Sequence, residues 1–336
     1  MDRGRRIRVL IVDDSAFFRQ LLSQGLASDP ELEIVAVARH AFDAWDKIDR
    51  YQPDVMTCDI EMPKMDGIEF IKKLLPVQPL PVIVVSGIND AVFEALKAGA
   101  VDFVPKPAAG SDQAVTDFIA DMIAKVKIAA QARVMPGIKS IPVKKAGQKK
   151  GIEIIAIGAS TGGTEAIYAL LTELPPTVPG IVIVQHIPAV FSRMFAERLD
   201  RSTQFQVREA ESGAEIKRGQ VLVAPGGEHL TIKKVGSSYQ AVCSPGAKVN
   251  GHCPSVDVLF ESVAAEAGER ALGIILTGMG SDGAEGMLSL RKKGARTIGQ
   301  DEKSAVIYGM PKAAFNLGAV EVQASLPEIP RLVSSL

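Results

Sequence analysis

The chain has 336 residues, 47% of them hydrophobic and 23% charged, which is enough apolar material for two cores of ordinary size and excludes wholesale disorder. Lys plus Arg number 38 against 39 Asp plus Glu, a net charge of −1, so charge offers no argument for a nucleic-acid or membrane-surface protein. The apolar runs Ile152–Ala159 and Gly180–Val184 fall far short of the roughly 20 residues a bilayer span needs. Met1–Arg6 lead straight into a segment ending in Asp13-Asp14 with no signal-peptide pattern, and three scattered cysteines (Cys58, Cys243, Cys253) form no disulfide framework. A cytoplasmic protein without direct membrane insertion is expected.

In chain order, Ile7–Val12, Glu33–Ala38, Asp54–Cys58, Val82–Val85 and Val101–Val104 read as buried strands. Between and after them, Phe17–Leu26, Ala41–Tyr51, Gly67–Leu75, Ala91–Ala98 and Gln113–Ala129 carry apolar residues at helical spacing. Five strand–helix units predict an α/β fold over residues 1–128, a doubly wound five-stranded parallel sheet with helices on both faces. Residues 129–151 carry Arg133, Lys139, Lys144, Lys145, Lys149 and Lys150 with prolines, glycines and no acid, and read as a basic flexible linker. Residues 152–336 return to strand–helix alternation, a second α/β domain with a mainly parallel sheet.

Ligands of such sheets sit outside the carboxyl ends of the strands. In the first domain those ends carry Asp13-Asp14, Asp59, Ser86 and Lys106-Pro107. Three carboxylates packed together call for a hard cation such as Mg²⁺. A lysine and a hydroxyl on the same edge suit a phosphoryl group.

Taken together, Leu10–Pro107 resembles the receiver domain of two-component response regulators, with Asp59-Ile60-Glu61-Met62-Pro63-Lys64-Met65-Asp66-Gly67 as the phosphoacceptor loop. The resemblance implies that Asp59 accepts phosphate from a histidine kinase, that Asp13, Asp14 and Asp59 hold Mg²⁺, and that Ser86 and Lys106 sense the phosphoryl group. Phe103 stands where that family carries a switching aromatic, and reads equally well as a core residue.

A receiver needs an output, and the second half has no basic recognition helix, which disfavours DNA binding. It opens with the strand Ile152–Ile157, then Gly158-Ala159-Ser160-Thr161-Gly162-Gly163, then the helical stretch Thr164–Leu171. A serine in a small-residue strand–turn–helix is a nucleophile, a phosphate loop or a plain tight turn. Among the four histidines, His40 opens a receiver helix, His229 falls in a polar strand and His252 in a loop. Only His186 follows directly on a buried strand, Ile181–Gln185. Ala271–Thr277 is another buried strand, leading into Gly278–Gly283 with Asp282 and then a helix from Ala284. Ser160, His186 and Asp282 thus come from three strand ends of one sheet, as Ser–His–Asp chemistry requires, in an order that differs from that of α/β-hydrolases.

Two other patterns compete. Gly278-x-Gly280-x-x-Gly283 with Asp301-Glu302 further on could be a dinucleotide fingerprint, which would make the output a nucleotide-binding module without catalysis. His229, Cys243, His252 and Cys253 lack paired zinc-ligand spacing.

The stretches Gly158–Gly163, Val184–Pro188, Pro254–Phe260 and Ile275–Gly283, in that order after a receiver and linker, resemble the chemotaxis response regulator protein-glutamate methylesterase family. The resemblance implies hydrolysis of glutamate methyl esters on chemoreceptors, and often deamidation of receptor glutamines, with no cofactor for that chemistry. It makes Ser160 the nucleophile, His186 the base and acid, Asp282 the orienting carboxylate, and Thr161 and Met279 the backbone donors of an oxyanion hole.

Overall fold

The computed structural model describes residues 5–87, 90–107, 111–132 and 151–336, in two compact units, Met1–Pro136 and Gly137–Leu336. The expected linker falls mostly on residues 133–150, outside the described residues.

In the first unit β1 (Ile7–Val12), β2 (Leu32–Ala38), β3 (Val55–Asp59), β4 (Val82–Ser86) and β5 (Asp102–Pro105) form one sheet in the order β2-β1-β3-β4-β5, with every pairing parallel. They alternate with α1 (Ala16–Ala27), α2 (Ala41–Tyr51), α3 (Gly67–Leu74), α4 (Ala91–Lys97) and α5 (Asp112–Ala129). Central strands covered by helices on both faces are buried end to end and mostly apolar, which is why Val55–Cys58, broken only by Thr57, and Val82–Val85 are readable as strands. Ser15, His40, Asp66 and Ser111 cap α1, α2, α3 and α5 by accepting a backbone N–H three residues on. His40 is therefore a half-exposed cap at the helix start expected for it.

The second unit contains β6 (Ile154–Ala159), α6 (Gly163–Glu173), β7 (Gly180–Gln185), α7 (Ala189–Ser202), β8 (Gln206–Glu209), β9 (Glu215–Ile216), β10 (Gln220–Val223), β11 (Glu228–Val235), β12 (Ser238–Pro245), α8 (Val256–Glu266), β13 (Ala271–Ile275), α9 (Ala284–Lys292), β14 (Arg296–Gln300), α10 (Met310–Asn316), β15 (Val322–Ala324) and α11 (Ile329–Ser334). Seven strands pair in parallel in the order β15-β14-β13-β6-β7-β10-β8. From β6 the chain runs outward through β7 to β10, then returns to β13 on the other side of β6. The order reverses there, and in sheets of this kind ligands sit beyond the carboxyl ends of the strands at such a reversal, here β13, β6 and β7.

A separate antiparallel sheet, β11-β12-β9, packs beside α8 and was not foreseen. In β11, His229, Leu230 and Ile232 are buried and Lys233–Val235 are not, while β12 alternates half-buried and buried residues from Ser238 to Ala241.

Candidate active site

The two turns that carry Ser160 and Asp282 are built alike. Gly163 N donates to Ser160 O at 2.7 Å, and Gly162 has φ 77° and ψ −5°. Ala284 N donates to Ser281 O at 3.0 Å, and Gly283 has φ 90° and ψ −8°. Each is a four-residue turn whose third position lies in the left-handed region, where glycine carries no Cβ penalty, and each feeds directly into a helix. Neighbouring strands lock the Ser160 turn from both sides. Ser160 N donates to Thr277 O at 3.0 Å, Gln185 Nε2 donates to Ser160 O at 2.9 Å, and Thr277 Oγ1 donates to Thr161 O at 3.0 Å.

His186 N donates to Ala159 O at 3.0 Å, so the residue after β7 lies beside the residue before Ser160. The chain at Gly278 passes equally close, since a Cβ there would meet Ser160 Cβ at 2.7 Å. Met279, the next residue, is partly exposed, whereas Thr161 is buried. All five residues expected of a hydrolytic site therefore share one strand edge.

His186 Nε2 lies 2.9 Å from Asp282 Oδ2. Asp282 also accepts from Ser255 Oγ and Val256 N, each at 2.7 Å, from Asn250 Nδ2 at 3.1 Å and from Asp257 N at 3.2 Å. Ser255 is the N-cap of α8, so the carboxylate sits on the N-terminus of a helix, where N–H groups and the dipole favour an anion. Burial alone would push Asp282 up, but hydrogen bonds from His186, Ser255, Asn250 and Val256 outweigh it and hold the group far below the usual carboxylate range. An ionised Asp282 can only accept, so Nε2 of His186 carries the hydrogen and Nδ1 keeps its lone pair. Nδ1 is buried and has no hydrogen-bond partner among the described residues, Ser160 included.

Two further residues reach this pair from a hairpin where the sequence predicts a loop at His252. Val249 and His252 exchange backbone hydrogen bonds, both 2.9 Å, across Asn250 (φ 52°) and Gly251 (φ 83°). Asn-Gly is the strongest short hairpin signal a sequence carries, and it was available here. Asn250 Nδ2 bridges Asp257 Oδ2 (2.7 Å) and Asp282 Oδ1. His252 stacks on His186 with ring centroids 3.7 Å apart and planes 7° from parallel. Burial, followed by the neighbouring His186, pushes the His252 imidazolium down to about 4. His229, placed correctly in a strand, is buried: its Nδ1 accepts from Ser255 N and its Nε2 donates to Ala247 O. Both ring nitrogens are thus engaged by backbone.

The glycines of Gly278-x-Gly280-x-x-Gly283 do not line a phosphate cradle. A Cβ at Gly278 would strike Met310 Sδ and Ser160 Cβ, and one at Gly283 would strike Val256. Gly278 and Gly283 thus permit close packing inside the site, whereas Gly280, with φ 82° and open space where a Cβ would stand, serves the turn.

In the first unit, Asp13, Asp14, Asp59, Ser86 and Lys106 gather at the ends of β1, β3, β4 and β5 as expected. Lys106 Nζ lies 2.7 Å from Asp59 Oδ2 and 3.0 Å from Asp13 Oδ2, above the ring of Phe18. Carboxylate oxygens of Asp13, Asp14 and Asp59 lie within 4.8 Å of one another. Ser86 is buried, with no hydrogen-bond partner for Oγ among the described residues. Burial raises both Asp13 and Asp59 above the usual range, and the Lys106 ammonium offsets only part of that. A donor set of crowded, cation-seeking carboxylates fits a hard divalent ion. Phe103 is buried, with the Lys125 ammonium 5.2 Å from its ring centroid.

This architecture defines a class, a response-regulator receiver joined to an α/β domain whose central strand ends carry a serine and a histidine–carboxylate pair. Residues 9–116 match the response regulator receiver domain and residues 155–333 match CheB methylesterase. The chain belongs to the CheB methylesterase family. A protein of Syntrophomonas wolfei named protein-glutamate methylesterase/protein-glutamine glutaminase 2 is 52% identical over 99% of this chain and 98% of its own length. One of Syntrophotalea carbinolica named protein-glutamate methylesterase/protein-glutamine glutaminase is 47% identical over 99% of this chain and 98% of its own. The second unit is similar to the crystal structure of the Thermotoga maritima CheB methylesterase catalytic domain, with TM-score 0.54 and 33% identity over 55% of this chain and all of that one.

Proposed function

We propose that the chain is a phosphorylation-activated serine hydrolase that removes methyl groups from glutamate methyl esters of chemoreceptors, deamidates receptor glutamines, and so sets adaptation in bacterial chemotaxis. The observation that carries the chemistry is the fixed direction of the His186–Asp282 hydrogen bond, which leaves Nδ1 of His186 as a lone-pair base on the edge that also carries Ser160. Serine is unreactive at neutral pH until such a base takes its proton.

Ser160 Oγ attacks the ester carbonyl as its proton passes to His186 Nδ1. The resulting imidazolium is stabilised by ionised Asp282. The C–O bond to the methoxy group breaks, and methanol leaves with the proton from His186. Water, deprotonated by the same nitrogen, then attacks the acyl-serine and releases the glutamate side chain and free Ser160. A glutamine follows the same path with ammonia leaving. Thr161 and Met279, flanking Ser160, would present backbone N–H groups to the tetrahedral oxyanion.

In the receiver, Asp59 would take the phosphoryl group from a chemotaxis histidine kinase, with Ser86 and Lys106 sensing it. Asp13, Asp14 and Asp59 would hold Mg²⁺, which when bound neutralises charge on the phosphoryl oxygens. The reading assigns residues 1–128 to the receiver, 129–151 to the linker and 152–336 to the hydrolase, in a cytoplasmic protein. Among the described residues no helix is long and apolar enough to cross a membrane. Incubation with methylated chemoreceptor and a methanol assay tests the reading directly. Release that rises on treatment with a small phosphodonor supports it, and no release from any methylated receptor with Asp59 phosphorylated contradicts it.

A further inference from the structure

His186 is held by one side-chain hydrogen bond among the described residues, the one to Asp282. One hydrogen bond fixes a point. It does not fix the plane of an imidazole, which can still turn about the Cβ–Cγ bond and carry Nδ1 away from the strand edge. A second ring, His252, lies 3.7 Å away and 7° from parallel. That ring is itself rigidly mounted, on a two-residue hairpin closed by the Val249–His252 backbone pair and pinned at Asn250 to Asp257 and Asp282.

We infer that His252 is a positioning residue for the base, stacking on His186 to hold its ring plane and giving the imidazolium formed during turnover an aromatic face to lie against. The inference rests on the Ser160–His186–Asp282 reading. Its charge state suits the role. Burial keeps His252 neutral at working pH, so it meets the transient His186 cation as a neutral π-face and not as a second charge. Asp282 lies on the far side of the His186 hydrogen bond, and Lys248 is the other charged group acting on His252.

The role makes a flat neutral ring at position 252 the requirement, and hydrogen bonding by His252 dispensable. In the phosphorylated full-length protein, His252→Leu, which fills the space without a planar face, should lower kcat for methanol release by about 3- to 30-fold with KM little changed. His252→Phe should keep kcat within about threefold of wild type. Labelling of Ser160 by a small fluorophosphonate, which needs the base but no receptor contacts, should follow the same ranking. A merely structural role would make both replacements alike and move thermal stability with activity. Leu and Phe variants of equal rate overturn the inference, as does a His252→Leu enzyme as fast as wild type. Ser160→Ala separates the two levels: if it still hydrolyses receptor esters, the triad reading fails, whereas a dead Ser160→Ala beside a fully active His252→Leu removes only the role of His252.

Discussion

Asp13 and Asp59 in one unit and Asp282 in the other occupy the same kind of place, the carboxyl edge of a parallel sheet, and are 0%, 3% and 2% exposed. Burial is the same, yet their proton affinities move in opposite directions. Asp282 receives five donors, among them two backbone N–H groups of a helix N-terminus and the His186 ring. Asp13 and Asp59 each accept one backbone N–H, from Ser15 and Glu61, share the single Lys106 ammonium and repel each other. The same edge can thus satisfy a carboxylate, which makes it a fixed anion that orients a base. It can also leave carboxylates short of positive charge, which makes them receptive to a cation and a phosphoryl group.

The sharpest way to break this comparison is at the nucleophile. Ser160→Ala should lower methanol release about 10⁴-fold or more, as loss of a triad nucleophile does elsewhere. Kinetics on methylated receptor check this, and activity above a tenth of wild type would contradict the assignment. If Asp282 orients and does not react, Asp282→Asn should retain about 10- to 100-fold more activity than Ser160→Ala. An equal or greater loss in the same assay, with circular dichroism showing an intact fold, would argue against that division of roles.

The third test joins the two edges. A receiver that restrains its output makes a fragment starting near Gly151 more active than the unphosphorylated full chain, by the 5- to 150-fold typical of such coupling. Asp59→Asn should leave the full chain slow and unresponsive to small phosphodonors. Rates for fragment, resting and phosphorylated protein check this. A fragment as slow as the resting chain means that phosphorylation activates directly.

The smallest effect is on stability. The folded-state affinity of Asp59 for a proton is raised, so the stability it contributes is fully present below the ordinary value of 3.8 and is lost as pH rises through the higher folded-state value. With divalent ions chelated, Asp59→Asn should raise the melting temperature of the receiver transition by a few degrees at pH 7 and not at pH 3.5. Thermal scans at the two pH values measure it.

Much of this was legible in the sequence because buried parallel strands are apolar runs whose last residues mark the ligand edge. Val12 before Asp13, Cys58 before Asp59 and Gln185 before His186 needed no structure. The supports of Asp282 were not legible. Ser255 and Val256 lie more than 25 residues before it, and nothing in local spacing says that α8 begins on that carboxylate. His252 was passed over because a histidine in a loop has no period to place it, although Asn250-Gly251 announced the hairpin that presents it. The β11–β12–β9 sheet was not legible because β9 is only two residues long, β11 carries Lys233-Lys234 near its end, and β12 mixes polar residues with its apolar ones.

The central claim, that one serine at the end of β6 performs the hydrolysis, is tested most directly by titration. Stepwise reaction of the phosphorylated protein with a fluorophosphonate, followed by peptide mass mapping and a methanol assay at each step, should place one label per chain on Ser160 and extinguish methanol release in proportion. Methanol release that survives complete modification of Ser160 would contradict the account.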